Sequence, residues 1–227
     1  MRLTRWTTDS MPVSYCQYYL QGDDFLVEYD DADTIGRIHA GNGLAAGGPE
    51  HLTVLSGTHT GEITLTTEQL QDAPPPPGDE WETAVDVSIC STSGALWLAQ
   101  WGGDVVPDAG NFAISGAGWY RVRVQTRGRD AGRGPEASDV PDAPASVEEH
   151  CLTIWPAPPA PDLVHRAADA IARACYDPTD PPALPIDPDD PTAVLIPHEY
   201  ADEPVDLREP VKLVLSADAV GGEHLGG

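Results

Sequence analysis

The stretch "WYRVRVQT", residues 119–126, alternates apolar and polar side chains, a pattern typical of a half-buried β-strand. Successive side chains of an extended chain point to opposite faces. Tyr120 and Val122 therefore lie on one face, which we expect to join a core. Arg121 and Arg123 lie on the other face, where we expect them to face water or to pair with acidic side chains of a neighbouring strand.

Eight other runs are rich in β-branched and aromatic residues, and glycine, proline or aspartate separates them. They cover residues 13–20, 25–29, 51–55, 61–66, 82–90, 95–100, 111–114 and 149–155. This pattern predicts an all-β fold, a two-sheet β-sandwich of about nine strands that occupies residues 1–157.

The pattern changes after residue 157. Residues 162–176 place apolar side chains at helical spacing between Pro161 and Pro178, which predicts one C-terminal α-helix. Residues 134–227 hold 16 of the 23 prolines, and an apolar run at 211–215 could add an edge strand. We expect residues 158–227, a helix followed by a proline-rich acidic extension, to pack on the sandwich because their own apolar content is low.

The net charge of −25 limits the possible partners. Such a field repels nucleic-acid phosphates and anionic membranes, so direct binding to either is not expected. Solubility and the amino-acid habit of a GC-rich genome would explain the acidity simply. The more specific alternative is a surface that attracts a basic protein, such as a nuclease or a toxin.

Residues 119–133 form the only positive segment, with five of the eleven arginines. Arg127 and Arg129 lie where the strand gives way to a glycine-rich loop, and they could either orient a partner or hold the loop through internal ion pairs. A separate acidic loop lies much earlier in the chain, at residues 23–33. The predicted partner-binding residues are Asp23, Asp24, Asp30, Asp31, Asp33, Arg127 and Arg129.

No catalytic or metal-binding motif is present in the sequence: it has no GxSxG, P-loop or HExxH pattern. The segment "SGTHTGE" contains Ser56, His59 and Glu62, but its pattern predicts a hairpin turn between two strands and not a catalytic site. We therefore expect no enzyme and no cofactor. The absence of a signal-peptide pattern favours a cytoplasmic protein, and four scattered cysteines without a CxxC pair are expected to be reduced and mostly buried.

Two tryptophans suggest another possible function. Trp97 and Trp101 would share a face of one strand, where they could stack on a sugar ring or cap the core. Carbohydrate binding is therefore one alternative function, and a structural or assembly subunit is another.

Two segments also carry a family resemblance. "WYRVRVQTRGRDAG", followed after an acidic gap by "VEEHCLTIWPAPPAP", resembles a family of uncharacterised, mainly actinobacterial proteins. "VSYCQYYL" and "GAGWYRVRV" resemble strands of the competence protein J family of nuclease inhibitors. The second resemblance implies a non-enzymatic β-sandwich protein that inhibits a nuclease or acts as an immunity protein.

Overall fold

The computed structural model describes residues 1–23, 31–133 and 147–188. The predicted strand at 25–29 and the predicted edge strand at 211–215 lie outside the described residues. Within the described residues, ten strands form two sheets. They are β1 (Arg2–Val13), β2 (Gln17–Gln21), β3 (Ala45–Gly48), β4 (His51–Leu55), β5 (Gly61–Leu70), β6 (Thr83–Ser91), β7 (Trp97–Gln100), β8 (Gly118–Arg127), β9 (Glu149–Pro156) and β10 (Leu163–Ala167).

The larger sheet has the strand order β1-β5-β9-β8-β6-β10 and the smaller one the order β3-β4-β2-β7. Neighbouring strands are antiparallel except for the parallel pair β5 and β9. The alternating stretch at residues 119–126 lies in β8, and continuous ladders join this strand to β6 and β9. The prediction of an all-β sandwich with two sheets is confirmed.

The core lies between the two sheets. Tyr120, Val122 and Val124 of β8 are buried, as the alternation predicts, and they belong to one cluster with Leu20 and Leu52 of the smaller sheet. Full burial of an aliphatic side chain of this size stabilises a fold by about 1.5–3 kcal/mol. The hydroxyl of Tyr120 donates to the carbonyl of Gly116 at 2.7 Å, so its one polar atom is also satisfied.

Two predicted strands differ from the structure. Residues 13–20 do not form one strand, because β1 ends at Val13 and a two-residue turn at Tyr15 and Cys16 separates it from β2. Residues 111–114 do not form a strand, and Asn111 makes only an isolated bridge to Trp97. The Asn111 side chain accepts hydrogen bonds from the amides of Leu96 and Ala113, at 3.0 and 2.8 Å, which holds this segment in a loop.

The helix predicted at residues 162–176 is wrong in its first half. Leu163–Ala167 is the edge strand β10, paired with β6. The free edge of β6 offers backbone partners, so the ladder overrides the weak helical pattern of this stretch. The helix α3 covers only Ala170–Cys175, and the carboxylate of Asp169 caps it by accepting from the amide of Ala172 at 3.0 Å.

Within the part of the chain that the structure describes, two further α-helices are present, α1 (Asp31–His39) and α2 (Arg129–Gly132), and Pro107–Ala109 forms a short 3₁₀ turn. Because β10 extends the larger sheet, residues 163–167 are part of the sandwich itself. The division of the chain into residues 1–157 and 158–227 remains a prediction. In the described residues all four cysteines are free thiols, two of them buried. None of the described helices is long and apolar enough to span a bilayer.

Candidate partner-binding surface

Arg123 is buried, although its strand position left open whether it would face water. Its Nε lies 2.7 Å from Oδ1 of Asp86 and its Nη2 lies 2.9 Å from Oδ2, so the two groups form a bidentate pair. Arg123 also donates to the carbonyl of Pro75, in the proline-rich link between β5 and β6. Of the two alternatives expected for Arg123, the structure shows the cross-strand pairing with an acid, and the proline-rich link covers the side chain.

Arg121 fixes the other covering segment. It donates to the carbonyl of Ala160 at 2.6 Å, to Oγ of Ser88 at 2.8 Å and to the carbonyl of Asp86 at 2.9 Å. Burial lowers the pKa of this guanidinium from its ordinary value. Arg121 therefore attaches the segment between β9 and β10 to the outer face of the larger sheet.

Arg129 is completely buried, with 0% of its side chain exposed. Its Nη1 lies 2.9 Å from Oδ2 of Asp169, and its Nη2 donates to the carbonyl of Gly43 at 3.0 Å. Burial by itself raises the pKa of Asp169, but the Arg129 charge and the amide of Ala172 together hold it below its usual value. Of the two roles considered for Arg129, the structure shows the internal pair.

Arg127 remains half-exposed. Its Nη2 lies 2.6 Å from Oε2 of Glu149, and its guanidinium carbon lies 5.6 Å from the centre of the Trp81 ring. A groove of about 620 Å³ runs beside it, between the proline-rich link and the outer face of the larger sheet. Arg2 and Arg5 also line this groove, and both lie within 4.0 Å of Glu68. Arg2 and Arg5 share the Glu68 carboxylate and Arg127 pairs with Glu149, so these guanidinium groups are already engaged, which does not favour an open anion site.

The predicted acidic residues follow β2 in the chain, and two of them belong to α1. Asp23 is exposed and its Oδ1 accepts a hydrogen bond from Nε1 of Trp97 at 2.8 Å. Asp31 and Asp33 belong to the first turn of α1, and Asp24 and Asp30 lie outside the described residues. Partner binding by these five aspartates remains a prediction.

Three aromatic side chains meet at one end of the sandwich: Tyr15, His59 and Trp101, here called the aromatic cluster. The ring centre of Tyr15 lies 4.6 Å from that of Trp101 and 5.5 Å from that of His59. Tyr15 is 58% exposed and Trp101 is 43% exposed. Trp97 lies at the opposite end of β7 and Trp101 follows the strand at a turn, so Trp101 is not part of the strand face that the two rings were expected to share.

The aromatic cluster is built by three connections between strands. Tyr15 and Cys16 form the β1–β2 turn with φ values of 53° and 62°, which cost roughly 1 kcal/mol or more each for residues other than glycine. The amide of Cys16 donates to the carbonyl of His59 at 3.0 Å, which joins this turn to the β4–β5 loop. Trp101 follows β7 at a turn in which Gly102 and Gly103 take φ values of 90° and 87°.

A buried polar network supports the loop that carries His59. The carboxylate of Glu148 accepts hydrogen bonds from the amides of Gly57 and Thr58, both at 2.8 Å. Nε2 of His150 lies 2.7 Å from the same carboxylate, and Nδ1 lies 2.9 Å from the hydroxyl of Tyr18. Burial alone would raise the pKa of Glu148, but the His150 side chain and the amide donors lower it to about 2.

Glu148, His150 and Tyr18 combine an acid, a base and a hydroxyl, but none is more than 1% exposed. A substrate cannot reach them, so the network is a structural support. The sequence does not indicate this role for Glu148. The buried loop amides that it binds, 90 residues away in the chain, leave no local signal in the sequence. No group of described His, Cys, Asp and Glu residues could hold a metal ion.

Together, fold and surface define a two-sheet β-sandwich that exposes an aromatic cluster on a strongly acidic protein. Two solved structures are similar to the chain. One is titled "Crocagin biosynthetic gene J", with a TM-score of 0.42, 15% identity, and coverage of 69% of this chain and 100% of that chain. The other is ComJ, inhibitor of the DNA degrading activity of NucA, from Bacillus subtilis, with a TM-score of 0.42, 12% identity, and coverage of 69% and 98%.

The match to ComJ agrees with the resemblance that the N-terminal strand and the glycine-aromatic strand show to the competence protein J family. No protein-family model matches the sequence, and no curated protein matches it significantly.

Proposed function

We propose that this chain is a non-enzymatic protein-binding module that neutralises a basic protein, such as a nuclease or a toxin, through its acidic surface. The observation that carries the proposal is the burial of Arg121, Arg123 and Arg129. They belong to the one positive segment of a chain with net charge −25, and they are used inside the fold. The segment therefore adds little positive charge to the surface.

A surface of this sign attracts a basic partner over a distance of about one Debye length, roughly 8 Å at physiological salt. Carboxylates can also occupy the sites on a nuclease that otherwise hold phosphates. Asp23 and the other four predicted aspartates would supply part of this attraction, and half-exposed Arg127 would help to set the orientation. ComJ inhibits a DNA-degrading activity, which is of the same kind, while the proposal rests on the residues of this chain.

The test uses the full chain and a purified basic endonuclease from a bacterium, with hen lysozyme as a basic protein that is not a nuclease. Affinity is measured by isothermal titration or surface plasmon resonance at 20 and 300 mM NaCl, and nuclease activity is measured on linear DNA. We expect nuclease binding that weakens at least about tenfold at the higher salt, inhibition of DNA cleavage, and much weaker binding of lysozyme. Absence of binding to a panel of basic nucleases and toxins at 20 mM salt would reject the proposal.

A further inference from the structure

We propose that the aromatic cluster of Tyr15, His59 and Trp101 is the contact centre of the partner-binding surface, and that it receives lysine or arginine side chains of the basic partner. This inference rests on the proposed function and adds to it the place and the chemistry of the contact.

The backbone beneath the cluster is strained. Tyr15 and Cys16 both take left-handed conformations, with φ values of 53° and 62°, in a two-residue turn closed by the bridge between Ser14 and Gln17. Turns of this shape favour Asn followed by Gly, which adopt positive φ with little strain. Tyr15 adds nothing to the core, because it is 58% exposed. A strained position that displays a large exposed ring fits a role in binding better than a role in stability.

Hydrogen bonds hold the turns that carry the cluster. The amide of Cys16 donates to the carbonyl of His59, and the amide of Ser56 donates to the carbonyl of Cys16, at 3.0 and 2.8 Å. Nε2 of Gln21 donates to the carbonyl of Gly103 at 3.0 Å and holds the turn of Trp101. Tyrosine and tryptophan rings that are fixed before binding lose little entropy in a complex, and these two residue types are enriched among the residues that dominate binding energy.

The chemistry of the surroundings favours a cationic partner. The exposed faces of tyrosine and tryptophan attract lysine and arginine side chains. Asp104 lies in the same turn as Trp101, is exposed, and forms no ion pair with a described residue. Burial and the Glu148 charge raise the pKa of the Cys16 thiol, and exposed Arg133 lies close enough to oppose this shift, so a cation is also present near this turn. The net charge of −25 belongs to the whole chain and favours the approach of a basic partner to the protein as a whole.

A sugar is a less suitable occupant. The planes of Tyr15 and Trp101 are inclined by 37°, and those of Tyr15 and His59 by 60°. Rings inclined in this way do not form the flat platform on which a sugar stacks, whereas they can surround a single cationic side chain.

The test compares two variants in full-length protein. Tyr15→Asn combined with Trp101→Ser removes both rings, and asparagine relieves the strain at residue 15. Cys16→Gly relieves the neighbouring strain and keeps both rings, so it is the matched control. We expect the ring variant to bind the basic endonuclease about 30-fold more weakly or worse. We expect Cys16→Gly to bind like the wild type and to melt about 2–4 °C higher.

Asp104→Asn is a third variant, which should weaken binding several-fold at 20 mM NaCl and much less at 300 mM NaCl. The outcomes separate the two proposals. If the wild type binds the nuclease and the folded ring variant binds equally well, the inference is wrong while the proposed function stands. If the wild type binds no basic protein, both fail. Quenching of tryptophan fluorescence by soluble oligosaccharides in the wild type but not in the ring variant would also overturn the inference.

Discussion

Nη1 of Arg129 and Oδ2 of Asp169 lie 2.9 Å apart, and neither side chain is exposed to solvent. The pair joins the first residue of α2 to the N-cap of α3, across 40 residues of chain. Removing one member of such a pair leaves the other charge buried without a counterion, and this is costly.

We therefore expect Arg129→Met to lower the free energy of unfolding by about 3–5 kcal/mol. Arg127→Met is the matched control, because Arg127 and Glu149 lie 2.6 Å apart but are 42% and 39% exposed. The free energy of unfolding of Arg127→Met should fall by less than about 1 kcal/mol. Urea unfolding followed by tryptophan fluorescence measures both. Equal losses in the two variants would contradict this account of the buried pair.

Glu148 should make the fold sensitive to acid. Its pKa is about 2 in the folded protein, below its ordinary value near 4.5. A group whose pKa is lower in the folded state stabilises the fold above its unfolded pKa, and this contribution disappears as the pH falls from about 4.5 towards 2. The expected loss is about 3 kcal/mol over that range. Urea unfolding between pH 2.5 and 6 should show a weaker pH dependence in Glu148→Gln than in the wild type, and an unchanged dependence would disprove the prediction.

Asp162 should act in the opposite direction. Burial raises its pKa to about 6, although Arg37 and the side chain of Asn42 oppose this. An acid whose pKa is raised in the folded state favours the fold below its unfolded pKa, and its contribution is lost as the pH rises through about 6. Asp162→Asn should therefore gain about 2 kcal/mol relative to the wild type between pH 4 and pH 8. Asp108→Asn, on the surface, controls for the loss of one negative charge, and a gain of the same size there would count against the assignment to Asp162.

Arg121 should control the stability of the segment between β9 and β10, because it binds the carbonyl of Ala160. In Arg121→Met we expect the amides of residues 160–168 to exchange with solvent about tenfold faster or more, while the rest of the larger sheet changes less. Arg133→Met is the control, because it removes an exposed arginine from the positive segment, residues 119–133, that also contains Arg121. Hydrogen exchange followed by mass spectrometry gives the comparison, and uniform protection in both variants would show that Arg121 does not hold this segment.

Much of the fold could be predicted from the sequence. The alternation in β8 identified Tyr120, Val122 and Val124 as core, and the spacing of turn residues indicated two sheets. The wrong predictions concern segments whose conformation has no local signal in the sequence. Leu163–Ala167 has a weak helical pattern, and only the free edge of β6 makes it a strand. The turn at Tyr15 and Cys16 uses residues that rarely take positive φ, so the sequence carries no turn signal there.

The candidate site was less predictable than the fold. Tyr15, His59 and Trp101 are far apart in the chain, and no local pattern relates them. The arginines at 121, 123 and 129 carry the same charge in the sequence whether they face water or a buried carboxylate.

The sequence by itself determined the two faces of β8 and the acidity of the chain, because side-chain alternation and net charge are local or additive properties. The tertiary structure alone decided which arginines are buried and which aromatic rings meet at the surface. The burial of the arginines and the meeting of the rings depend on contacts between segments that are distant in the chain. Packing of the whole fold sets these contacts.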